Sequence, residues 1–380
     1  MQPAAARSPA ASAGTEPAKL RVMLVDDSAV IRGIFRRTLE ADPGIAIVAA
    51  VSNGQQAVDT LARMTVDVIV LDIEMPVMDG MTALPLLLAA QPGVKIIMAS
   101  TLTEKNAAVS LQALRIGAAD YIPKPVAKHE IHTAEAFKRE LLGKIKALGG
   151  KRSRAVAADA EGAVPPGIDV PAKPATALVF RKPSSVTPRI IAIGSSTGGP
   201  QALFRVFEGL KGKISHLPVV IAQHMPKAFT GILAEHLSKI ADGRCAEGRD
   251  GEALEPGRIY IAPGDFHMSV VGNPTGGSGH TIRLDQSPPE NYCRPSVEPL
   301  FRSVSGQFGS AALAVMLTGM GHDGLAASKT LVDAGGTLLA QDEKTSVVWG
   351  MPGAVASAGL CAEVLPIDQI APHVCALLRR

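Results

Sequence analysis

A chain of 380 residues with 47% apolar and 19% charged side chains is long enough for two or three globular cores. Its formal net charge of +3 is small for that size and argues against a nucleic-acid or anionic-membrane partner held by overall charge. The cysteines, Cys245, Cys293, Cys361 and Cys375, include no C-x-x-C pair, which excludes a zinc site or a secreted disulfide framework and makes a reducing cytoplasm the expected setting.

In chain order, residues 1–19 are rich in alanine but broken by Arg7, Pro9, Glu16, Pro17 and Lys19, so they lack a signal-peptide core and read as a disordered tail. From 20 to about 126, β-branched runs at 21–25, 46–50, 66–71, 95–99 and 120–122 alternate with helical patterns, which predicts a five-stranded parallel sheet. The most apolar stretch, 83–100, is interrupted by Pro85, Gln91, Pro92, Gly93 and Lys95, so a soluble protein without membrane insertion is expected. Over 130–148, the spacing of Ile131, Phe137, Leu141, Leu142, Ile145 and Leu148 predicts a helix with one apolar face, closing a first domain at 20–148.

Residues 149–188 turn to Gly, Pro, Ala, Ser and Lys with little periodicity and read as a flexible linker, within which Leu178, Val179 and Phe180 are either a docking element or a stray apolar cluster. A second domain is expected over 189–380, with strands at 190–193, 219–222, 259–261, 313–317 and 337–340 in a mostly parallel sheet. A hairpin of 268–271 and 281–284, joined by the Gly/Ser-rich loop 272–280, is inserted in it.

Asp26 and Asp27 follow the first strand, Asp72 the third, Ser100 the fourth and Lys124 the fifth, all at carboxyl ends, the edge where open α/β sheets bind ligands. Three carboxylates gathered there repel one another unless a cation lies between them, and hard oxygen donors suit Mg²⁺. The ammonium of Lys124 can then pair with an anion formed at the same place. Each position taken alone also reads as ordinary helix or turn capping.

In order along the chain, Leu-Val-Asp-Asp-Ser at 24–28, Leu-Asp-Ile-Glu-Met-Pro-Val-Met-Asp-Gly at 71–80 and Pro-Lys-Pro at 123–125 make the region from about 21 to 126 resemble a response-regulator receiver domain. The resemblance implies that Asp72 accepts a phosphoryl group from a histidine kinase, with Mg²⁺ bound by Asp26 or Asp27, Asp72 and the Glu74 carbonyl. It gives Ser100 and Tyr121 the positions of the switch residues and Lys124 that of the phosphate-pairing lysine, with a candidate cis peptide to Pro125. A phosphoryl group adds charge and acceptor oxygens that draw a hydroxyl and a lysine inward.

In the second domain, Gly-Ser-Ser-Thr-Gly at 194–198 follows the run 189–193 and reads as a strand, a tight turn with a serine at its apex and then a helix. A nucleophile, a phosphate loop at a helix N-terminus and a plain tight turn are all open on this motif. A dinucleotide site would want G-x-G-x-x-G and an acidic residue ending the next strand, where this chain has Gly194, Gly198, Gly199 and then Gln223-His224.

A serine nucleophile needs a base, and of the nine histidines His224 stands just past the strand that follows the serine turn, on the same sheet edge. His267 and His322 also lie just past strands, whereas His129, His132, His216, His236, His280 and His373 have no such placement. For the carboxylate that orients the imidazole, Asp323 follows the strand 313–317, with Asp265 and Asp342 as rivals. Gly319, Gly321 and Gly324 around it let backbone N–H groups approach a reacting oxygen.

The order Ser, His, Asp differs from that of the α/β-hydrolases. Together with Ile-Gly-Ser-Ser-Thr-Gly-Gly, Gln-His-Met-Pro, Tyr-Ile-Ala-Pro-Gly-Asp-Phe-His-Met, Arg-Pro-Ser-Val-Glu and Leu-Thr-Gly-Met-Gly-His-Asp-Gly, it makes residues 189–378 resemble the catalytic domain of the chemotaxis protein-glutamate methylesterases and protein-glutamine deamidases. The resemblance implies Ser196 as nucleophile, His224 as general base and acid, Asp323 as orienting carboxylate and the Met320 N–H as oxyanion donor. Ser195, where alanine is common, and His322, where asparagine is common, depart from the pattern.

The expected fold class is therefore α/β, with two doubly wound, mostly parallel-sheet domains: a flavodoxin-like receiver and a Rossmann-like methylesterase domain with a β-hairpin. The resemblance further implies a cytoplasmic, phosphorylation-activated hydrolase acting on the cytoplasmic helices of chemoreceptors, fed by a histidine kinase phosphodonor. Mg²⁺ is expected in the receiver and no cofactor in the catalytic domain. A docking protein whose hydrolase-like domain binds without turnover is the alternative, and the lack of a helix-turn-helix pattern or basic stripe after the linker argues against nucleic acid.

Overall fold

The computed structural model describes residues 19–125, 131–160, 178–242, 244–273 and 279–379. The expected tail before Lys19, His129, residues 161–177 of the linker and 274–278 of the hairpin loop lie outside the described residues.

The first domain alternates β1 (Leu20–Val25), α1 (Ala29–Glu40), β2 (Ile45–Val51), α2 (Gly54–Leu61), β3 (Val68–Asp72), α3 (Gly80–Ala90), β4 (Lys95–Ser100), α4 (Glu104–Ile116) and β5 (Asp120–Pro123). Its strands pair in parallel in the order β2-β1-β3-β4-β5. The helices start where a short polar side chain can satisfy a free first-turn N–H: Ser28, Asn53, Asp79 and Thr103 each accept one.

The next helix, α5 (Ile131–Ala160), does not stop at 148 as expected, and so runs into the segment read as linker. Two features explain the difference. A Cβ on Gly149 would come within 2.7 Å of Leu20 Cδ2, so this glycine serves close packing on β1 and not a helix end. Beyond it, residues 151–160 are mostly Lys, Arg and Ala, whose propensity sustains a helix after the apolar stripe has ended.

The second domain runs β6 (Ile190–Ser195), α6 (Gly199–Leu210), β7 (Val219–Gln223), α7 (Lys227–Ile240), β8 (Cys245–Glu247), β9 (Ile259–Ile261), β10 (His267–Gly272), β11 (His280–Asp285), α8 (Val297–Phe308), β12 (Ala312–Met316), α9 (Leu325–Asp333), β13 (Thr337–Gln341), α10 (Met351–Ser357), β14 (Glu363–Leu365) and α11 (Ile367–Leu377). Seven parallel strands pair in the order β14-β13-β12-β6-β7-β9-β8, and β10 and β11 form a separate antiparallel hairpin. The edge strands β8 and β14, three residues each, were not expected from sequence. The order reverses at β6, so β12, β6 and β7 lie side by side with a crevice at their carboxyl ends.

Before β6, the chain from 178 lies on the second domain. Arg181 N–H donates to Cys361 O at 2.8 Å and Ser184 N–H to Thr337 Oγ1 at 2.9 Å, while Val179 and Phe180 stay exposed. Among the described residues the cis peptide is Arg294–Pro295, and not the candidate at Lys124–Pro125.

The two domains share apolar clusters. Val348 is buried with Leu141, Ile145 and Leu148 of α5, and Met320 packs against the same group. The Tyr121 ring, at the end of the first sheet, stacks on Phe229 of α7 with centroids 4.2 Å apart. Gln201 Nε2 of α6 donates to Ala118 O at 2.8 Å, and the Arg115 guanidinium lies 5.8 Å from the Phe204 ring centre.

Candidate functional site

The carboxyl edge of the first sheet gathers Asp26, Asp27 and Asp72, with one oxygen from each within 4.8 Å of the others. Lys124 reaches in from beyond β5, its Nζ 2.9 Å from Asp26 Oδ2 and 2.7 Å from Asp72 Oδ2. Burial raises the Asp72 pKa to about 6, with the Asp26 charge adding and Lys124 opposing. Burial disfavours the charge on Lys124, but its two carboxylate partners outweigh it and raise its pKa. Three carboxylates facing one ammonium leave net negative charge, and this set of hard oxygen donors fits Mg²⁺.

Around that pocket, Ser100 is buried and accepts a hydrogen bond from Ser110 Oγ at 3.2 Å. Tyr121 is buried with its ring turned toward the second domain. The Glu74 carboxylate points outward to Lys105 Nζ at 3.5 Å, so any metal role for Glu74 falls to its backbone carbonyl.

In the second domain, Ser196 lies one residue past β6 in a turn that needs glycine. Gly198 has φ 75°, and a Cβ there would come within 2.5 Å of Val347 Cγ2. Ser195 faces away, its Oγ donating to Gln223 Oε1 at 2.6 Å, which leaves Ser196 as the partly exposed hydroxyl. His224 follows β7 and is tied back by its N–H to Ser195 O at 3.1 Å. Asp323 follows β12, so three adjacent strands deliver the three groups.

The His224 Nε2 and Asp323 Oδ2 atoms are 2.7 Å apart. Asp323 also accepts from Asn291 Nδ2 at 2.8 Å, Ser296 Oγ at 2.7 Å and the Val297 N–H at 2.6 Å. Burial works to raise its pKa, but His224, Ser296 and the Val297 N–H prevail and lower it to about 2. The second ring nitrogen of His224, Nδ1, lies 3.4 Å from Cys293 Sγ. Burial opposes the imidazolium, yet Cys293 and Asp323 outweigh it and lift the His224 pKa to about 10. Among the described residues Ser196 Oγ makes no hydrogen bond.

Ser196, His224, Asp323 and Met320 line one cavity of about 450 Å³, roofed by Tyr121, Arg139, Glu140 and Lys144 of the first domain. The Met320 side chain packs on α5, where a Cβ on Gly143 would meet its Sδ and Cε at 2.9 Å. The rival groups serve elsewhere. His322 is exposed and Asp323 is bound to His224; buried His267 places Nε2 3.2 Å from Pro288 O; Asp265 pairs with Arg294 at 2.7 Å; Asp342 accepts from the Thr345 N–H at 3.0 Å.

Sequence reasoning passed over Asn291, Cys293 and Ser296. The signal lay in Arg-Pro-Ser-Val-Glu at 294–298, read only as a motif, where Ser296 caps α8 and turns its hydroxyl to Asp323.

The CheB methylesterase family matches residues 191–374, and the response regulator receiver domain matches 22–135. The protein-glutamate methylesterase/protein-glutamine glutaminase of group 2 operon from Rhodospirillum centenum is 53% identical, the match covering 96% of this chain and 94% of that one. The protein-glutamate methylesterase/protein-glutamine glutaminase of Azospirillum brasilense is also 53% identical, over 98% of this chain and 95% of its own. Among solved structures, the CheB methylesterase catalytic domain of Thermotoga maritima is 38% identical, covers 50% of this chain and all (100%) of its own, and has a TM-score of 0.48. With half its residues shared across nearly its whole length, this chain belongs to the CheB methylesterase family, with a receiver domain ahead of the methylesterase domain.

Proposed function

We propose that this chain is a phosphorylation-activated cytoplasmic hydrolase that removes methyl esters from glutamates on the cytoplasmic helices of chemoreceptors and deamidates glutamines there. Ser196 Oγ attacks the γ-ester carbonyl while its proton passes to the ring nitrogen of His224 that Asp323 does not hold, Nδ1. The carbonyl oxygen gains the negative charge and is met by the Met320 N–H. The tetrahedral adduct collapses, the C–O bond to methoxide breaks, and His224 returns the proton so that methanol leaves. Water then attacks the acyl-serine by the same proton route and releases glutamate. A glutamine side chain follows the same path with ammonia as leaving group.

The observation that carries this reading is the 2.7 Å His224–Asp323 pair in the cavity that Ser196 lines. Asp323 stabilises the imidazolium and keeps the Nε2–H in place, so Nδ1 is the nitrogen left to exchange protons.

The receiver controls access. A cavity of about 450 Å³ holds a side chain but not a receptor helix running past it, whose diameter is about 10 Å. Activation therefore requires the roof of Tyr121, Arg139, Glu140 and Lys144 to lift. Asp72 is the acceptor of the phosphoryl group from the kinase, and Lys124, already paired to it at 2.7 Å, follows the new charge. Asp26, Asp27, Asp72 and the Glu74 carbonyl would hold Mg²⁺, whose positive charge stabilises the oxygens of a transferring phosphoryl group. Ser100 and Tyr121 relay the change, Tyr121 through its stack on Phe229.

The test is methanol release from methylated receptor membranes, together with labelling by a fluorophosphonate serine probe. Ser196→Ala abolishes both; a variant that still releases methanol overturns the assignment.

A further inference from the structure

We infer that Cys293 is a positioning residue that withholds His224 from Ser196 in the resting protein, by occupying the ring nitrogen the serine needs. The inference rests on the reading of Ser196, His224 and Asp323 given above. Nε2 of His224 is committed to Asp323 at 2.7 Å, so a proton from Ser196 can go only to Nδ1. Cys293 Sγ stands 3.4 Å from that atom, and Ser196 Oγ makes no hydrogen bond among the described residues. The base is thus turned toward a sulfur and not toward the nucleophile.

The loop that carries the thiol is held from both sides. Asn291 and Tyr292 have φ of 50° and 64°, a left-handed conformation that asparagine tolerates but that a bulky side chain such as Tyr292 adopts at a cost. On the inner side, Asn291 Nδ2 donates to Asp323 Oδ1 at 2.8 Å. On the outer side, Tyr292 is an exposed residue, and the Arg139 guanidinium of α5 lies over one part of it, 4.0 Å from the ring centre. The receiver therefore touches the residue next to Cys293. When α5 withdraws, that clamp is lost, the backbone at Tyr292 can relax and Nδ1 is freed.

Charge acts in the same direction. Burial disfavours an imidazolium at His224, but the Cys293 sulfur and Asp323 raise its pKa to about 10, which keeps it from accepting a proton near neutrality. Other charged and titratable groups line the cavity, Asp120, Arg139, Glu140 and Lys144 from the receiver and Arg294 and His322 from the second domain. Cys293 and Asp323 are the two that hydrogen-bond the imidazole. Removing the sulfur leaves one raising influence fewer, so the neutral base becomes available at lower pH.

The full-length protein is assayed for methanol release from methylated receptor membranes across pH, with and without acetyl phosphate. Cys293→Ala is expected to raise the resting rate about 5-fold or more, the low end of coupling between sites, and to move its acidic limb to lower pH. The stimulated rate changes far less, because the clamp is already released there. Cys293→Ser, which keeps a hydrogen-bonding group at Nδ1, falls between alanine and cysteine. Tyr292→Ala, at an exposed position, releases the loop with the thiol intact and raises the resting rate in the same way. If Cys293→Ala and Tyr292→Ala leave the resting rate and its pH profile unchanged, or lower both states in parallel, Cys293 is structural and the inference fails. Ser196→Ala in each background separates the two levels, since activity surviving that change overturns the nucleophile itself and not the role of Cys293.

Discussion

Gly143 offers a direct way to pry the domains apart. A Cβ on it would lie 2.9 Å from both Sδ and Cε of Met320, and among the described residues no other atom outside the chain neighbours and helix backbone comes within 4 Å. Those two atoms end a flexible side chain, so Gly143→Ala is absorbed by a small swing of Met320, and it gains about 1 kcal/mol of helix propensity. Gly143→Leu is different, because its branched side chain enters the seam where Val348 is buried against α5. Overpacking of this kind costs about 1–3 kcal/mol. The opposing surface belongs to the methylesterase domain, so the whole penalty falls on the docked arrangement and none on the receiver alone. A shift of that size moves the docked–undocked equilibrium by about 5- to 150-fold. Methanol release without phosphodonor should rise for Gly143→Leu by up to that factor, limited by the phosphorylated rate. The thermal midpoint of the receiver should not fall. A folded Gly143→Leu protein whose resting rate equals that of the parent would show that the contact between α5 and Met320 does not restrain the enzyme.

Other perturbations test the site itself. Asp323→Asn should lower kcat by about 10⁴-fold with a much smaller effect on KM, because an amide no longer holds the Nε2–H tautomer of His224; a loss below tenfold would remove Asp323 from that role. Asp72→Asn should abolish stimulation by acetyl phosphate, and stimulation that persisted would mean another residue accepts the phosphoryl group. The His224–Asp323 pair also has a defined pH window for stability. His224, raised from 6.5 to about 10, contributes fully below pH 6.5, and the contribution is lost as pH rises through about 10. Asp323, lowered from 3.8 to about 2, contributes fully above pH 3.8, and that part is lost as pH falls through about 2. In denaturant titrations, the stability gap between the parent and His224→Gln should therefore narrow from neutral pH to about pH 10. A gap that stays constant would contradict the pairing.

The central strands were legible because each is a short, almost wholly apolar run, often β-branched, bounded by turn residues, the composition a parallel strand buried on both faces requires. Placing the strands also placed Asp26, Asp72, Lys124, Ser196, His224 and Asp323 on their carboxyl edges, since parallel strands share one such edge. Less was legible where a pattern was short or a residue ambiguous. The strands β8 and β14 have three residues each, too few to show a period. Gly149 opened the segment read as linker but serves contact with Leu20, so α5 continued.

What only the tertiary structure decided is which surfaces meet. An apolar stripe such as that of α5 says that it will be buried, but burial is non-directional, and any complementary apolar face will do. Sequence periodicity therefore could not say that Val348 and Met320 would join that stripe or that Tyr121 would lie on Phe229. Nor could it bring Cys293, 69 residues from His224, to the ring's second nitrogen, because that contact depends on the left-handed turn at Asn291 and Tyr292 and on the helix that covers it. Ser196, His224 and Asp323 were legible in local motifs; the contacts that surround the His224 ring were set by long-range packing.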